Sequence, residues 1–135
     1  MKRRVFLGYG AGVLSLPGAK GGPNDRPALG AVGVGGKGWA DSLGASKHGE
    51  IVAFGDVDEL GKDRKGGFVE AAKKWPKAKR YTDWREMLEK ENLDGVTVST
   101  PDHMHAPVTM TALKLGISPY TQKPLTRTVH EARAL

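Results

Sequence analysis

At 135 residues the chain has room for one domain, and its 39% hydrophobic content in regular patterning marks a folded chain rather than a disordered one. Its net charge of +6 sits mostly at the start. Residues 1–26 carry five bases against Asp25, and the remainder carries 16 bases and 14 acids, which leaves no aromatic-studded basic face for a nucleic acid. The absence of cysteine excludes a disulfide framework and a thiolate metal site, and no apolar run reaches the roughly 18–20 residues of a membrane span.

Residues 1–27 stand apart from the fold. Arg3-Arg4-Val5-Phe6-Leu7 is a twin arginine before a mildly apolar stretch that ends at Leu16. This pattern looks like a twin-arginine export signal, a route that carries folded proteins to the periplasm. The apolar stretch is short, is broken by glycines, and lacks an Ala-x-Ala cleavage site near Ala19. The alternative is a disordered basic terminus on a cytoplasmic protein. Gly18 to Pro27 is a Gly/Pro-rich linker under either reading.

From Ala28 the chain alternates strand and helix signals, the pattern of a parallel sheet covered on both faces. Ala28–Val32 reads as a strand and is followed by Gly33-Val34-Gly35-Gly36-Lys37-Gly38 and a helix containing Trp39, Ala40 and Leu43. G-x-G-x-x-G between a strand and a helix is the layout of a dinucleotide site. Gly33 permits the turn, Gly35 lets backbone approach a pyrophosphate, and Gly38 lets the helix lie close to the strand. The free amides at the helix start face the phosphate charge. With 19 glycines in the chain the motif alone is weak. Its context is an acid. Ile51–Gly55 reads as a second buried strand, and Asp56 follows 18 positions after Gly38. A carboxylate there accepts the ribose hydroxyls of adenosine and repels a 2′-phosphate, so NAD is expected rather than NADP. Asp closing a strand as a turn residue is the plain alternative.

Residues 57–67 are poor helix material because of Gly61, Gly66 and Gly67. Phe68, Ala71, Ala72 and Trp75 then form one apolar helix face that Pro76 ends, with Trp75 as core. Ala78 to Tyr81 reads as a short edge strand. Asp83 and Glu86 have capping-box spacing before a helix that buries Trp84, Met87 and Leu88 and ends near Asn92. Val96–Thr100 is the next strand. It leads into Pro101-Asp102-His103-Met104-His105, with Asp102 as a turn or cap residue and His105 near the start of the next helix. The two histidines suggest a metal only weakly, since no third ligand is in view. That helix runs through Val108, Ala112, Leu113 and Leu115 to Gly116. Ile117–Thr121 is a fifth strand in spite of Pro119, Gln122-Lys123-Pro124 follows it, and Thr128 to Glu131 is a second capping box.

Three elements in this order carry a family resemblance: the glycine turn, Thr100-Pro101-Asp102-His103-Met104-His105, and Gln122-Lys123-Pro124-Leu125. Residues 29–135 resemble the N-terminal domain of the Gfo/Idh/MocA oxidoreductases, the glucose–fructose oxidoreductase and inositol dehydrogenase-like enzymes. The resemblance implies a Rossmann-type doubly wound α/β fold over 28–135 and a site for NAD. It also implies hydride transfer to or from a sugar, polyol or related carbohydrate. The cofactor contacts it implies are Gly33, Val34, Gly35, Gly36, Lys37, Gly38, Asp56, Val57, Thr100, Pro101, His105, Gln122 and Lys123. Lys123 is the catalytic candidate, its ammonium polarising a substrate oxygen. An ordinary solvated lysine is the alternative for Lys123.

Two departures stand out. Gln122 replaces the family's usual glutamate, and Ile117-Ser118-Pro119 lies where a distorted strand is expected. The family's larger second α/β domain, which supplies substrate contacts and the subunit interface, has no counterpart here, and the last capped helix reads as interrupted. A homo-oligomer is accordingly expected only of a longer form, and turnover by these residues alone is not expected. A stand-alone NAD-binding module and a Rossmann-like methyltransferase are the competing readings.

Overall fold

A computed structural model describes residues 26–59 and 65–135. The leader reading at 1–25 and the middle of the 57–67 loop lie outside the described residues. Five strands form one parallel sheet: β1 Ala28–Val32, β2 Glu50–Gly55, β3 Lys79–Tyr81, β4 Gly95–Val98 and β5 Ser118–Thr121, in the spatial order β3-β2-β1-β4-β5. The helices α1 Lys37–Ala45, α2 Phe68–Lys74, α3 Trp84–Lys90, α4 Asp102–Lys114 and α5 Val129–Ala134 fill the connections. This is the doubly wound Rossmann-type arrangement. Winding runs outward from β1 in one direction to β3, then restarts at β4 on the other side of β1.

Alternation along the inner strands divides the core in two. Val32, Ala53, Val96 and Val98 join Trp84, Met87 and Leu88 of α3 and Val108 and Ala112 of α4 on one face. Ala31 and Phe54, one residue out of step, join Ala71 and Ala78, with Trp39, Phe68 and Trp75 packed against them, on the other. Successive strand residues point to opposite faces, so a two-sided sheet needs apolar residues at consecutive positions, which explains why β1, β2 and β4 read as unbroken apolar runs. Trp75 is half-buried against this cluster, its ring tilted 5.5 Å from that of Trp39.

Some local expectations are corrected. Asp83 does cap α3, but it accepts from the Arg85 amide at 2.8 Å, one residue short of a capping box. Glu86 does not reach back. It pairs with Lys90 one turn on, a short reach that competes for the same carboxylate. The α3 helix ends at Lys90 rather than near Asn92, and Glu91 turns away to meet Lys79 at 2.8 Å and the Tyr81 hydroxyl. Strand β4 stops at Val98, and α4 begins at Asp102, before His105. Of the apolar residues at and after α4, Val108 and Ala112 are buried while Leu113 and Leu115 are exposed. β5 is regular and in register with β4, Val96 opposite Pro119. The proline is tolerated because β5 bonds to only one neighbour in the described sheet. The capping box at Thr128 and Glu131 is present, and it holds the Glu131 carboxyl below its ordinary range through amide hydrogen bonds.

Candidate functional site

In an open parallel sheet, ligands sit beyond the carboxyl ends of the strands where the winding reverses, here between β1 and β4. The glycine turn leaves β1 at that point. Gly33 has φ +80°, and a Cβ on it would lie 2.6 Å from the Ser99 carbonyl oxygen at the end of β4. A Cβ on Gly38 would lie 2.0 Å from the Gly33 carbonyl oxygen. Only glycine permits the turn, β4 and α1 to come this close. Gly36, at φ +57°, is the N-cap of α1, and a Cβ there would meet nothing within 4 Å. Its need for glycine is thus conformational and leaves open space above it.

Asp56, at the end of β2, is built into this turn. Its carboxylate accepts from the Val34 amide at 2.9 Å and the Asp58 amide at 3.0 Å. Val57 beside it is 85% exposed. From the other side, residues 65–67 run antiparallel to the turn. Gly36 donates to the Lys65 carbonyl at 2.9 Å, and Gly67 donates to the Val34 carbonyl at 2.9 Å. Gly66, at φ +85°, passes directly over Trp39, whose Cβ a side chain at 66 would strike at 2.4 Å. The sequence treated this Gly-Gly pair only as a helix breaker; a glycine pair upstream of a helix is also the signal for close backbone approach.

Among the described residues the amides of Val34, Gly36 and Gly38 are therefore taken by the protein, while those of Gly35 and Lys37 are open. The first turn of α1 holds no acidic residue, so no carboxylate of that turn opposes an anion at its amides. The Lys37 ammonium pairs with Asp41, whose other oxygen accepts from the Ser99 hydroxyl at 2.8 Å. Asp41 thus joins α1 to the end of β4, a role the sequence did not reveal because a helical acid four residues after a lysine reads as a surface pair. The cradle without Cβ atoms and the open amides together fit a dinucleotide pyrophosphate.

The loop after β4 lies against the turn: a Cβ on Gly33 would stand 3.2 Å from the Thr100 amide nitrogen. Pro101 is the N-cap of α4 and is exposed. His105, one turn into α4, is only 1% exposed. Its Nε2 is 2.8 Å from the Thr100 carbonyl oxygen and its Nδ1 is 2.6 Å from that of Pro124. Neither ring nitrogen is turned toward open space, while His103 is exposed. Gln122 continues the β5 ladder by donating to the Val98 carbonyl at 2.9 Å, and its side-chain oxygen accepts from the Lys123 amide at 3.3 Å, not from the ammonium. Lys123 is exposed, and its ammonium has no protein partner among the described residues. Turn, Asp56, Thr100 loop and Lys123 thus follow the carboxyl ends of four adjacent strands.

One groove lies away from this edge. Of about 660 Å³, it flanks α1 and the β4–β5 side of the sheet, lined by Leu29, Ala40, Gly44, Val96, Thr97 and Tyr120. Its apolar lining includes a buried Thr97 hydroxyl without a partner, and it does not contain the glycine turn. No helix of the described residues is long and apolar enough to cross a membrane.

Comparison with known proteins agrees with the geometry. The inositol 2-dehydrogenase of Rubrobacter xylanophilus is 30% identical over 115 residues, covering 83% of this chain and 31% of that protein. A glycosyl hydrolase family 109 protein of Stenotrophomonas maltophilia is 29% identical over 130 residues, covering 87% of this chain and 28% of that protein. The crystal structure of myo-inositol dehydrogenase from Lactobacillus casei, in complex with NAD(H) and myo-inositol, superposes with a TM-score of 0.70 at 25% identity over 81% of this chain and 32% of that one. The chain spans between 17% and 31% of the length of the curated relatives it matches. The model for the oxidoreductase family with the NAD-binding Rossmann fold, Gfo/Idh/MocA, matches residues 29–135, and the chain belongs to that family.

Proposed function

We propose that the chain supplies the NAD-binding half of an oxidoreductase that moves hydride between nicotinamide and a carbon bearing a hydroxyl in a sugar or polyol. The observation that carries this is the alignment of the glycine turn, Asp56, the Thr100 loop and Lys123 on one edge of the sheet. Gly35 and Lys37 amides hold the pyrophosphate, and Asp56 faces the adenosine ribose. NAD, when bound, supplies the hydride acceptor or donor. Lys123 presents an unpaired ammonium beside the strand end where the nicotinamide half belongs. There it steadies negative charge developing on the substrate oxygen as the carbon–hydrogen bond breaks.

The dehydrogenase names among the relatives support a carbohydrate or polyol substrate. Matching less than a third of those proteins, these residues are proposed to bind cofactor without turnover by themselves. A second reading, cleavage of a glycoside, is favoured by the Stenotrophomonas relative. The twin arginine at Arg3-Arg4 supports export by the twin-arginine route, and replacing both with lysine in a reporter fusion should retain the fusion in the cytoplasm.

The test is titration with NADH, read as energy transfer from Trp39 beside the glycine turn. Saturable quenching of tryptophan emission that NAD competes away, and that adenosylmethionine does not, is expected. Competition by adenosylmethionine alone would replace the oxidoreductase reading with a methyltransferase one. A protein bearing this domain and a substrate-binding part should then reduce NAD with a polyol; release of free sugar from a nitrophenyl glycoside would favour the second reading.

A further inference from the structure

His105 holds a position that cofactor contact alone does not explain. It is the largest polar side chain in the fully buried set, and it spends both ring nitrogens on backbone carbonyls. One carbonyl, Thr100, is five residues back in the loop after β4. The other, Pro124, is 19 residues ahead in the loop after β5. These two loops come from neighbouring strands, and β4 and β5 are joined along their length by the sheet ladder, which ends with Gln122 donating to Val98. Beyond that bond the Lys123 segment leaves the sheet. Among the described residues, Lys123 itself keeps only the Gln122 side chain on its amide, at 3.3 Å, a long and solvent-exposed contact within the same segment. The ring of His105 is therefore what fixes the residue after Lys123 against the Thr100 loop.

We infer that His105 is a positioning residue: it clasps the Thr100 loop to the Lys123–Pro124 segment and so sets where the Lys123 ammonium stands relative to the nicotinamide half of the cofactor. The inference rests on the proposed NAD site. It differs from a ligand role because the ring offers no nitrogen outward. It also differs from a plain packing role because an apolar ring of the same size would fill the space and release both carbonyls. A neutral imidazole donates to one of the two oxygens and a doubly protonated one to both, so at least one ring N–H is buried and shielded from water.

The experiment uses the 135-residue chain. In the protein without ligand, nitrogen-correlated proton spectra should show a His105 ring N–H that exchanges slowly with water; a ring N–H exchanging as freely as that of exposed His103 would overturn the clasp. Binding of NADH is then compared with binding of ADP, which carries only the adenosine half. His105→Phe is expected to weaken NADH about fivefold, from the loosened Thr100 loop and the displaced Lys123 together, and to leave ADP within about twofold. His105→Asn, whose amide nitrogen falls where Nδ1 does, should regain most of the NADH affinity by restoring the donor to Pro124. Equal weakening of NADH and ADP, or no change in either, would overturn the inference and leave His105 a packing residue. Should the Phe variant fail to fold, the exchange measurement and the Asn variant decide alone. Failure of the wild-type chain to bind either nucleotide refutes the NAD site itself, and the ring exchange still reports on the clasp separately.

Discussion

Replacing Gly38 with alanine isolates the close approach on which the glycine turn depends. Alanine is the better helix former by roughly 1 kcal/mol, so on propensity alone the change stabilises α1. The added Cβ, however, would sit 2.0 Å from the Gly33 carbonyl oxygen and 2.8 Å from its carbon, both backbone atoms that no rotamer can move aside. Real Cβ contacts stay above 3.0 Å, so α1 and the turn must part by roughly 1 Å. Overpacking of this kind costs about 1–3 kcal/mol, which leaves a net change between about zero and 2 kcal/mol of destabilisation after the helix gain. The same shift carries the open Lys37 amide away from the proposed pyrophosphate position, and losing a hydrogen bond to a charged group costs about 1.5–3 kcal/mol, on the order of ten- to a hundredfold in affinity. Binding should thus fall further than stability. Gly44→Ala, in the same helix with open space around the new Cβ, is the matched control and should stabilise by up to about 1 kcal/mol. Urea titration followed by tryptophan emission gives stability, and NADH quenching gives affinity. An alanine at 38 that binds NADH like the wild type would refute the reasoning.

Asp56→Ala removes the acceptor of two amides and should lose about 1–3 kcal/mol of stability as well as NAD affinity. Asp56→Asn keeps one of the two acceptor oxygens and removes the charge, so its preference for NADH over NADPH should shrink with a smaller loss of stability than Asp56→Ala; an unchanged preference would deny Asp56 the ribose role. Met87→Ala empties a fully buried position in the larger core cluster and should cost about 2–5 kcal/mol in urea titrations. The Tyr81 phenol is pushed up from 10.0 to about 12, first by its hydrogen bond to Glu91, then by burial and the Glu91 charge. A raised folded pKa means stability that is complete below pH 10 and is lost as pH rises from 10 to 12. Tyr81→Phe should flatten that alkaline decline in melting temperature, and an identical decline in the variant would place its cause elsewhere. For Glu91, burial pushes the carboxyl up, but the hydrogen bonds from Lys79 and Tyr81 outweigh it and the net movement is below 4.5. Its contribution is therefore present above pH 4.5 and disappears on acidification.

The order of strands and helices was legible because each inner strand faces two helix layers and must be apolar at consecutive positions, as in Ala31-Val32 and Ala53-Phe54. Helix ends were less so. Asp83 and Glu86 have the spacing of a capping box, but Lys90 one turn away offers Glu86 a charged partner, and local spacing cannot weigh that competition. Leu113 and, just past α4, Leu115 are apolar yet exposed, while Val108 and Ala112 of the same helix are buried, a difference composition does not show. At the site, the glycines and Asp56 were visible because each answers a local demand. What stayed hidden were the long-range partners: Asp41 on Ser99 across 58 residues, the 65–67 segment on the turn, and His105 on Pro124. A sequence shows which groups can bond; only the fold shows which backbone arrives beside them.

The two halves of the candidate site are built to different tightness, and this bears on mechanism. The glycine turn is held by Gly55, Asp56 and the Lys65 segment, with Ser99 pressed against it, before any ligand arrives. Little ordering remains to be done on binding, so the pyrophosphate meets a preorganised cradle. Lys123 has the opposite character: an exposed ammonium on a segment anchored by one ladder bond and the His105 ring. A lysine in open water is a poor electrostatic catalyst, because solvent screens its charge at the substrate oxygen. It gains strength only where something excludes water around it, and the groups that do so must come from outside the described residues. Nucleotide affinity should therefore be nearly complete in this chain, while the charge effect of Lys123 should emerge only in an assembly that covers it. Lys123→Met provides the comparison. It should change NADH affinity by only a few fold here, and abolish hydride transfer in a protein where a substrate-binding part closes over the same lysine. A large loss of NADH affinity in the isolated chain would instead make Lys123 a cofactor anchor.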